Sequence, residues 1–253
     1  MDIRVIINGK KAGLEPVRSA IFKARESGKV EVRATWEGGD VERLVHEAVH
    51  DGCQRVVAAG GDGTVKEVAD AMLHLSADER PELAVMPLGT ANDFATACTI
   101  PADHLSALHL AQAGKVQNVD AVKANEHYFM NVASGGFGAQ VTANTPVALK
   151  NFLGGGAYTL SGLVQAVNFA PYQGEMHLPD ESVRSNVIIG AVCNGRQAGG
   201  GQQLAPQALI NDGLLDLVAL NHFPAEALSQ VIDELMTPEA NGEYVRRFRV
   251  PWA

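Results

Sequence analysis

The 253 residues are 46% hydrophobic and 19% charged, enough apolar material for one large domain or two smaller ones and unlike a disordered chain. A formal net charge of −9 argues against nucleic-acid binding, which needs a basic footprint, and against broad electrostatic adhesion to anionic lipid. Cys53, Cys98 and Cys193 are widely spaced without metal-ligand spacing and read as free thiols of a reducing cytoplasm. The start MDIRVIING lacks the layout of a signal peptide, and no apolar run reaches the ~20 residues of a membrane span.

In chain order, Ile3 to Ile7 reads as a buried strand ended by Asn8-Gly9-Lys10. A helix follows from Pro16 to Ser27, with Val17, Ala20, Ile21 and Ala24 on one face and Gly28 as its stop. Val30 to Thr35 is a second strand, and Asp40 caps a helix reaching His50. Arg55 to Ala59 is a third apolar strand, running into Gly60-Gly61-Asp62-Gly63. Thr64 with Glu67 forms a capping-box pattern for the next helix, whose inner face carries Val65, Val68, Ala69, Met72 and Leu73. Such a turn leaves backbone N–H groups unpaired at a helix N-terminus, a ready phosphate site, although glycine is also ordinary strand-to-helix punctuation.

A second polar turn, Pro87-Leu88-Gly89-Thr90-Ala91-Asn92-Asp93-Phe94-Ala95, follows the strand Leu83 to Met86 and opens another helix. Two glycine turns at the carboxyl ends of successive parallel strands can address one crevice. Leu105, Leu108, His109 and Ala113 mark a helix closed by Gly114. Near Val116 the texture changes. Strands are expected at Val116 to Val122 and His127 to Ala133 around Ala124-Asn125-Glu126, then helices at Gln140 to Asn151 and Ala157 to Asn168 flanking Gly154–Gly156. Further strands are expected at Arg184 to Cys193, Leu214 to Leu220 and Tyr244 to Val250. The expected organisation is an α/β nucleotide-binding domain over 1–115 and a β-rich substrate domain over 116–253, with the crevice between them as active site. The sequence has no GxxxxGK[ST] and none of the protein-kinase motifs, so phosphate would rest on backbone amides.

GGDGT together with PLGTANDFA resembles the diacylglycerol-kinase catalytic domain, most closely the YegS-like bacterial lipid kinases, and the resemblance runs on to Val218, through the Ser134-Gly135-Gly136-Phe137-Gly138 turn. It implies an NAD-kinase-like two-domain fold, a parallel α/β sheet domain followed by a β-sandwich. It also implies nucleotide contacts from Thr35, which precedes Trp36-Glu37, and from Gly61, Asp62, Gly63, Thr64, Val65, Lys66, Glu67 and Thr90. Asp62 would point toward Mg²⁺, with an Asx turn as its structural alternative. Asn8 lines the nucleotide crevice or is a turn residue, while Asn92 and Asp93 order the crevice unless Asp93 caps the helix through Phe94. Leu209, Asp212 and Leu214 match a secondary site for Mg²⁺ or Ca²⁺, with a plain Asp-Gly turn as the alternative. Arg196 is either a lipid-phosphate contact or a solvated side chain.

The activity so implied is ATP- and Mg-dependent phosphorylation of a glycerolipid hydroxyl at a membrane surface, by a cytoplasmic protein meeting the inner face of the membrane. Homo-oligomers are compatible with it. The alternatives are an NAD kinase or another small-molecule kinase, and a nucleotide- or lipid-binding protein without turnover. The family's C-terminal Asp-Gly-Glu, whose Glu acts as base, has no counterpart before Val250-Pro251-Trp252-Ala253. Asn241-Gly242-Glu243 lies on the wrong side of the last strand, so the catalytic residue is left unassigned and turnover by these 253 residues is doubtful.

Overall fold

The computed structural model describes residues 2–136, 167, 170–237 and 241–253, and the chain divides into two compact units, Met1–Met130 and Asn131–Ala253. In the first unit, β1 (Ile3–Asn8), α1 (Gly9–Ala12) and α2 (Glu15–Ala24) lead to β2 (Val30–Thr35) and α3 (Asp40–His50). They are followed by β3 (Arg55–Gly60), α4 (Asp62–Leu73), β4 (Glu82–Pro87), α5 (Asp93–Ala97), α6 (His104–Ala113) and the hairpin β5 (Val122–Ala124) and β6 (His127–Phe129).

The four long strands form a parallel sheet in the order β2-β1-β3-β4. Successive side chains point to opposite faces, so a strand covered on both sides must be apolar throughout. All six residues of β3 are buried. On one face Val5, Ile7, Val57 and Met86 pack under Val17, Ile21 and Leu108 of α2 and α6. On the other, Ile6, Val56 and Val85 pack under Leu44, Val68 and Phe94 of α3, α4 and α5. The strand order reverses direction between β1 and β3, which makes the space beyond their carboxyl ends the topological switch point.

Three local expectations change. The helix after β3 starts at Asp62 with Gly61 as N-cap, one turn before Thr64. Thr64 is buried instead, and a Cβ on Gly60 would lie 2.3 Å from its Oγ1, so the hydroxyl is packed against glycine rather than capping. The short helix α1 also intervenes where only a turn was expected. Finally, residues 115–121 form no strand, and the expected boundary at 115/116 moves to 130/131. The physical reason is the docking of the hairpin on α4. Asp70 Oδ1 accepts from Tyr128 N at 2.8 Å, and Asp70 Oδ2 lies 3.1 Å from His127 Nδ1.

The second unit is antiparallel. β7 (Val132–Gly136), β8 (Tyr172–His177), β9 (Ser182–Cys193), β12 (Leu215–Asn221) and β13 (Val245–Val250) make one sheet in the order β13-β12-β9-β7. β8 pairs with the first half of β9, and β12 pairs with the rest of it. A small ribbon joins β10 (Gln197–Ala198) to β11 (Gln202–Gln203). An unforeseen helix, α7 (Leu228–Met236), packs Val231 against Ile188, Leu220, Phe223 and Val245. The expected helices at Gln140 to Asn151 and, apart from Val167, Ala157 to Asn168 lie outside the described residues, as do Phe137 and Gly138. Among the described residues no helix is long and apolar enough to cross a membrane.

Candidate functional site

The two glycine turns meet backbone to backbone. Gly60 is opposite Pro87 in the ladder, and Leu88 N donates to Gly60 O at 2.8 Å. A Cβ on Gly89 would stand 2.5 Å from Gly61 Cα, and one on Gly61 would stand 3.1 Å from Gly89 Cα. Gly89 has no room for a side chain, and one at Gly61 would have to push the Gly89 backbone back by a few tenths of an ångström. Asn92 sits at φ 54°, its Oδ1 accepting from Gly89 N at 2.8 Å and its Nδ2 donating to Gly89 O at 2.9 Å. Asp62 Oδ1 accepts from Phe94 N at 3.0 Å, so the first turn caps the helix of the second. The motifs are therefore one braced unit.

That bracing leaves the start of α4 open. Its first internal bond is Val65 N to Gly61 O, at 3.1 Å, so the N–H groups of Asp62, Gly63 and Thr64 have no acceptor within the helix. Gly63 is exposed, and a Cβ there would meet nothing within 4 Å. Thr90 is exposed beside Gly89. Val65 is buried in the core, so only its backbone can meet a ligand. The Lys66 ammonium donates to Asp70 at 2.9 Å.

At the neighbouring strand ends, Asn8 is in register with Thr35. A Cβ on Gly9 would lie 2.1 Å from Thr35 O, and Thr35 Oγ1 accepts weakly from Gly9 N at 3.4 Å. Asn8 Oδ1 accepts from Lys10 N at 3.1 Å and so caps α1, which is the turn role. Beyond Thr35, Asp40 Oδ2 accepts from the N–H of Trp36 at 2.6 Å and of Glu37 at 3.0 Å, while Oδ1 pairs with Arg43 at 2.6 Å. Arg43 first, and then the two N–H groups, hold the Asp40 carboxyl down to about 2.

A cleft of about 650 Å³ opens here, with Thr35, Glu37, Glu42, Glu67, His74 and His127 in its wall and no lysine or arginine lining it. His74 has Nδ1 2.8 Å from Asp70 O and Nε2 2.9 Å from Glu126 O. Both acceptors are carbonyls, so only the imidazolium satisfies both. The Asp70 carbonyl accordingly leads the contacts that raise its pKa. Thr35 and Glu67 were legible from sequence. Glu37, Glu42 and the histidines were not, because nothing in their spacing relates the loop after β2 to the outer face of α4 and the hairpin.

In the second unit, Asp212 Oδ1 accepts from Leu214 N at 3.0 Å and Oδ2 is ion-paired with Arg249; Gly213 has φ 72°. Both carboxylate oxygens are engaged within the chain, so the Asp-Gly turn is the form adopted, and a cation held by Asp212 would have to compete with Arg249. Arg196 Nε donates to Ala208 O at 2.9 Å and braces its own loop. Glu243 is exposed and accepts from Gln230 at 3.2 Å. Among the described residues no group of three or more His, Cys, Asp or Glu side chains is arranged to hold a metal ion.

Residues 2–124 match the family model described as diacylglycerol kinase catalytic domain, and residues 131–252 match the YegS C-terminal NAD kinase β-sandwich-like domain. A Chromohalobacter salexigens protein named "Probable lipid kinase YegS-like" is 47% identical over 99% of this chain and 81% of its own length. One of the same name from Shewanella frigidimarina is 45% identical over 99% and 82%. A Bacillus anthracis crystal structure of diacylglycerol kinase type superposes with a TM-score of 0.80 at 24% identity, covering 98% of this chain and 82% of that one, a likeness of fold.

Proposed function

Because this chain belongs to the YegS-like family carrying a diacylglycerol kinase catalytic domain, we propose that it transfers a phosphoryl group from ATP to a free hydroxyl of a glycerolipid. The observation that carries this reading is the pair of interlocked glycine turns, with the N–H groups of Asp62, Gly63 and Thr64 open beside them. Unpaired amides at a helix N-terminus favour anions, so this turn holds the polyphosphate, and the Thr90 hydroxyl supplies a further donor.

The cleft suits the other end of the nucleotide. Its wall offers the carboxylates Glu37, Glu42 and Glu67 with no lysine or arginine, and with His74 turned to the Asp70 and Glu126 carbonyls, a balance that disfavours phosphate and accepts from ribose hydroxyls and an exocyclic amine. Glu67 joins the two subsites, one turn along α4 from Gly63. Asp62 spends Oδ1 on Phe94, and its Oδ2 makes no hydrogen bond among the described residues, which fits Mg²⁺ carried in with the phosphates. When bound, that ion would neutralise charge developing on the phosphoryl oxygens. The rate this unit supplies is then one of alignment and charge stabilisation rather than covalent catalysis.

The test is transfer from radiolabelled ATP with Mg²⁺, offering diacylglycerol-containing vesicles and NAD in parallel. Label is expected in the lipid fraction. Label in NADP but not in lipid, or no ATP binding by calorimetry, would overturn the reading.

A further inference from the structure

We propose that His74 is a positioning residue of the nucleotide cleft: as the imidazolium it clasps the β5–β6 hairpin to α4, and nucleotide affinity falls when that proton is lost. The inference rests on the kinase reading only in taking ATP as the occupant of the cleft.

The hairpin does not hold its own place. It is a ribbon of three residue pairs, Val122 with Phe129, Lys123 with Tyr128 and Ala124 with His127, joined to no other strand among the described residues. A two-stranded ribbon is marginal in water, so its position is set by what it packs on. Its base is anchored by the buried Phe129 and by Met130, which packs against the core shared with α4. Its tip, Glu126 and His127, forms one wall of the cleft.

The ties between that tip and α4 differ in the proton they need. Asp70 Oδ1 accepts from Tyr128 N at 2.8 Å, a bond that needs only the ionised carboxylate. His127 Nδ1 lies 3.1 Å from Asp70 Oδ2, a contact that one N–H of a neutral ring satisfies. His74 is different. Its Nδ1 faces Asp70 O at 2.8 Å and its Nε2 faces Glu126 O at 2.9 Å, and a neutral ring has a single N–H for the two carbonyls. Either neutral tautomer sets a ring lone pair against a carbonyl oxygen, so the ring must turn and give up the tie across to Glu126.

The surroundings favour the imidazolium. His74 caps the C-terminus of α4, where helix carbonyls attract a cation. The Asp70 carboxylate, 3.6 Å from Nδ1, and Glu42 of α3 favour the proton, and Glu37 and Glu67 line the same cleft. Against it at this helix end stands Arg80, which donates to the Leu73 and Leu75 carbonyls. Lys66 is paired with Asp70, and Lys123 of the hairpin lies over the Tyr128 ring, 5.8 Å from its centroid. The same ring stands edge-on to His74 at 5.3 Å. With the pKa of His74 raised, chiefly by the Asp70 carbonyl, the clasp is complete below the ordinary histidine range and is lost as pH rises through the raised value.

The test follows the whole chain by NMR and calorimetry from about pH 5.5 to 8.5. Without nucleotide, protection of the Tyr128 amide against exchange, corrected for the intrinsic rate, is expected to fall as the His74 ring titrates. ATP affinity should weaken about two- to tenfold over the same window, the contribution of one hydrogen bond. The ratio of wild-type to His74→Gln affinity cancels the ionisation of ATP itself and should carry this fall. The ratio to His109→Gln, exposed on α6, should stay level. Linkage makes the effect reciprocal: saturating ATP should move the His74 titration midpoint upward by the logarithm of the same factor, which a merely structural histidine would not show. That measurement needs no variant. An unmoved midpoint, or a wild-type pH profile in a folded His74→Gln, overturns the proposal. Such a failure with lipid phosphorylation intact leaves the kinase reading standing, whereas the expected profile with no label in lipid removes that reading alone.

Discussion

Gly63→Ala separates the proposed phosphate role of the first glycine turn from its structural role. Gly61, the position a sequence reader would choose, is unsuitable: its added Cβ would press on Gly89 Cα at 3.1 Å, so any lost binding would be confounded with a disrupted brace. Gly63 has no such neighbour within 4 Å, and its φ is not left-handed. Replacing glycine by alanine at a compatible helical position stabilises by ~0.4–1 kcal/mol through the unfolded chain, a rise of about 1–4 °C in Tm for a chain of this size. The new methyl tilts toward the helix N-terminus, into the space an anion on these N–H groups would occupy. Forfeiting one hydrogen bond to a charged phosphate costs ~1.5–3 kcal/mol, roughly ten- to a hundredfold in Kd. Calorimetric titration with ATP and a thermal melt of the same sample give both numbers. A variant that melts higher but binds ATP as wild type does would refute phosphate binding at this turn.

Asp62→Asn keeps an oxygen acceptor for Phe94 N and should melt within about 1 kcal/mol of wild type, while ATP affinity loses its dependence on Mg²⁺; an unchanged Mg²⁺ titration would return Asp62 to capping alone. With Asp212 already paired to Arg249, the wild-type Tm should not move on adding chelator, whereas Arg249→Gln should become sensitive to millimolar Mg²⁺ or Ca²⁺; a chelator-sensitive wild type would show that a cation displaces the guanidinium. The Asp40 carboxyl is depressed from 3.8 to about 2, so its stabilisation is present above pH 4 and is lost as pH falls through about 2. Tm plotted against pH should accordingly fall less steeply in Asp40→Asn over that window, and parallel curves would assign the loss elsewhere. Trp36, 94% exposed beside Thr35, should report nucleotide binding as a change in emission that Gly63→Ala weakens, and an ATP-insensitive spectrum in a protein that binds ATP by calorimetry would place the base away from the loop after β2.

What the sequence alone determined is local in origin. Apolar runs of β-branched residues followed by glycine made the parallel strands and their helices readable, since a strand covered on both faces needs side chains of one kind. The two glycine motifs pointed to the carboxyl ends of β3 and β4 as the candidate site, and Asn125, at φ 55°, marked the turn of the hairpin. What only the tertiary structure decided depends on contacts across long stretches of chain. Asp62 caps Phe94 from 32 residues away, and Gly61 and Gly89 need each other's lack of a side chain, so motif residues that read as ligand contacts also hold the turns together. Asp70 draws the hairpin onto α4 and so moves the domain boundary past Val116, an effect no change in composition records. Arg249, 37 residues beyond Asp212, takes the carboxylate that the local LINDGL pattern offers to a cation. Spacing along a chain reports which neighbours a side chain has within a helix or strand, and charges and hydrogen bonds are settled by whichever partner the fold brings within reach.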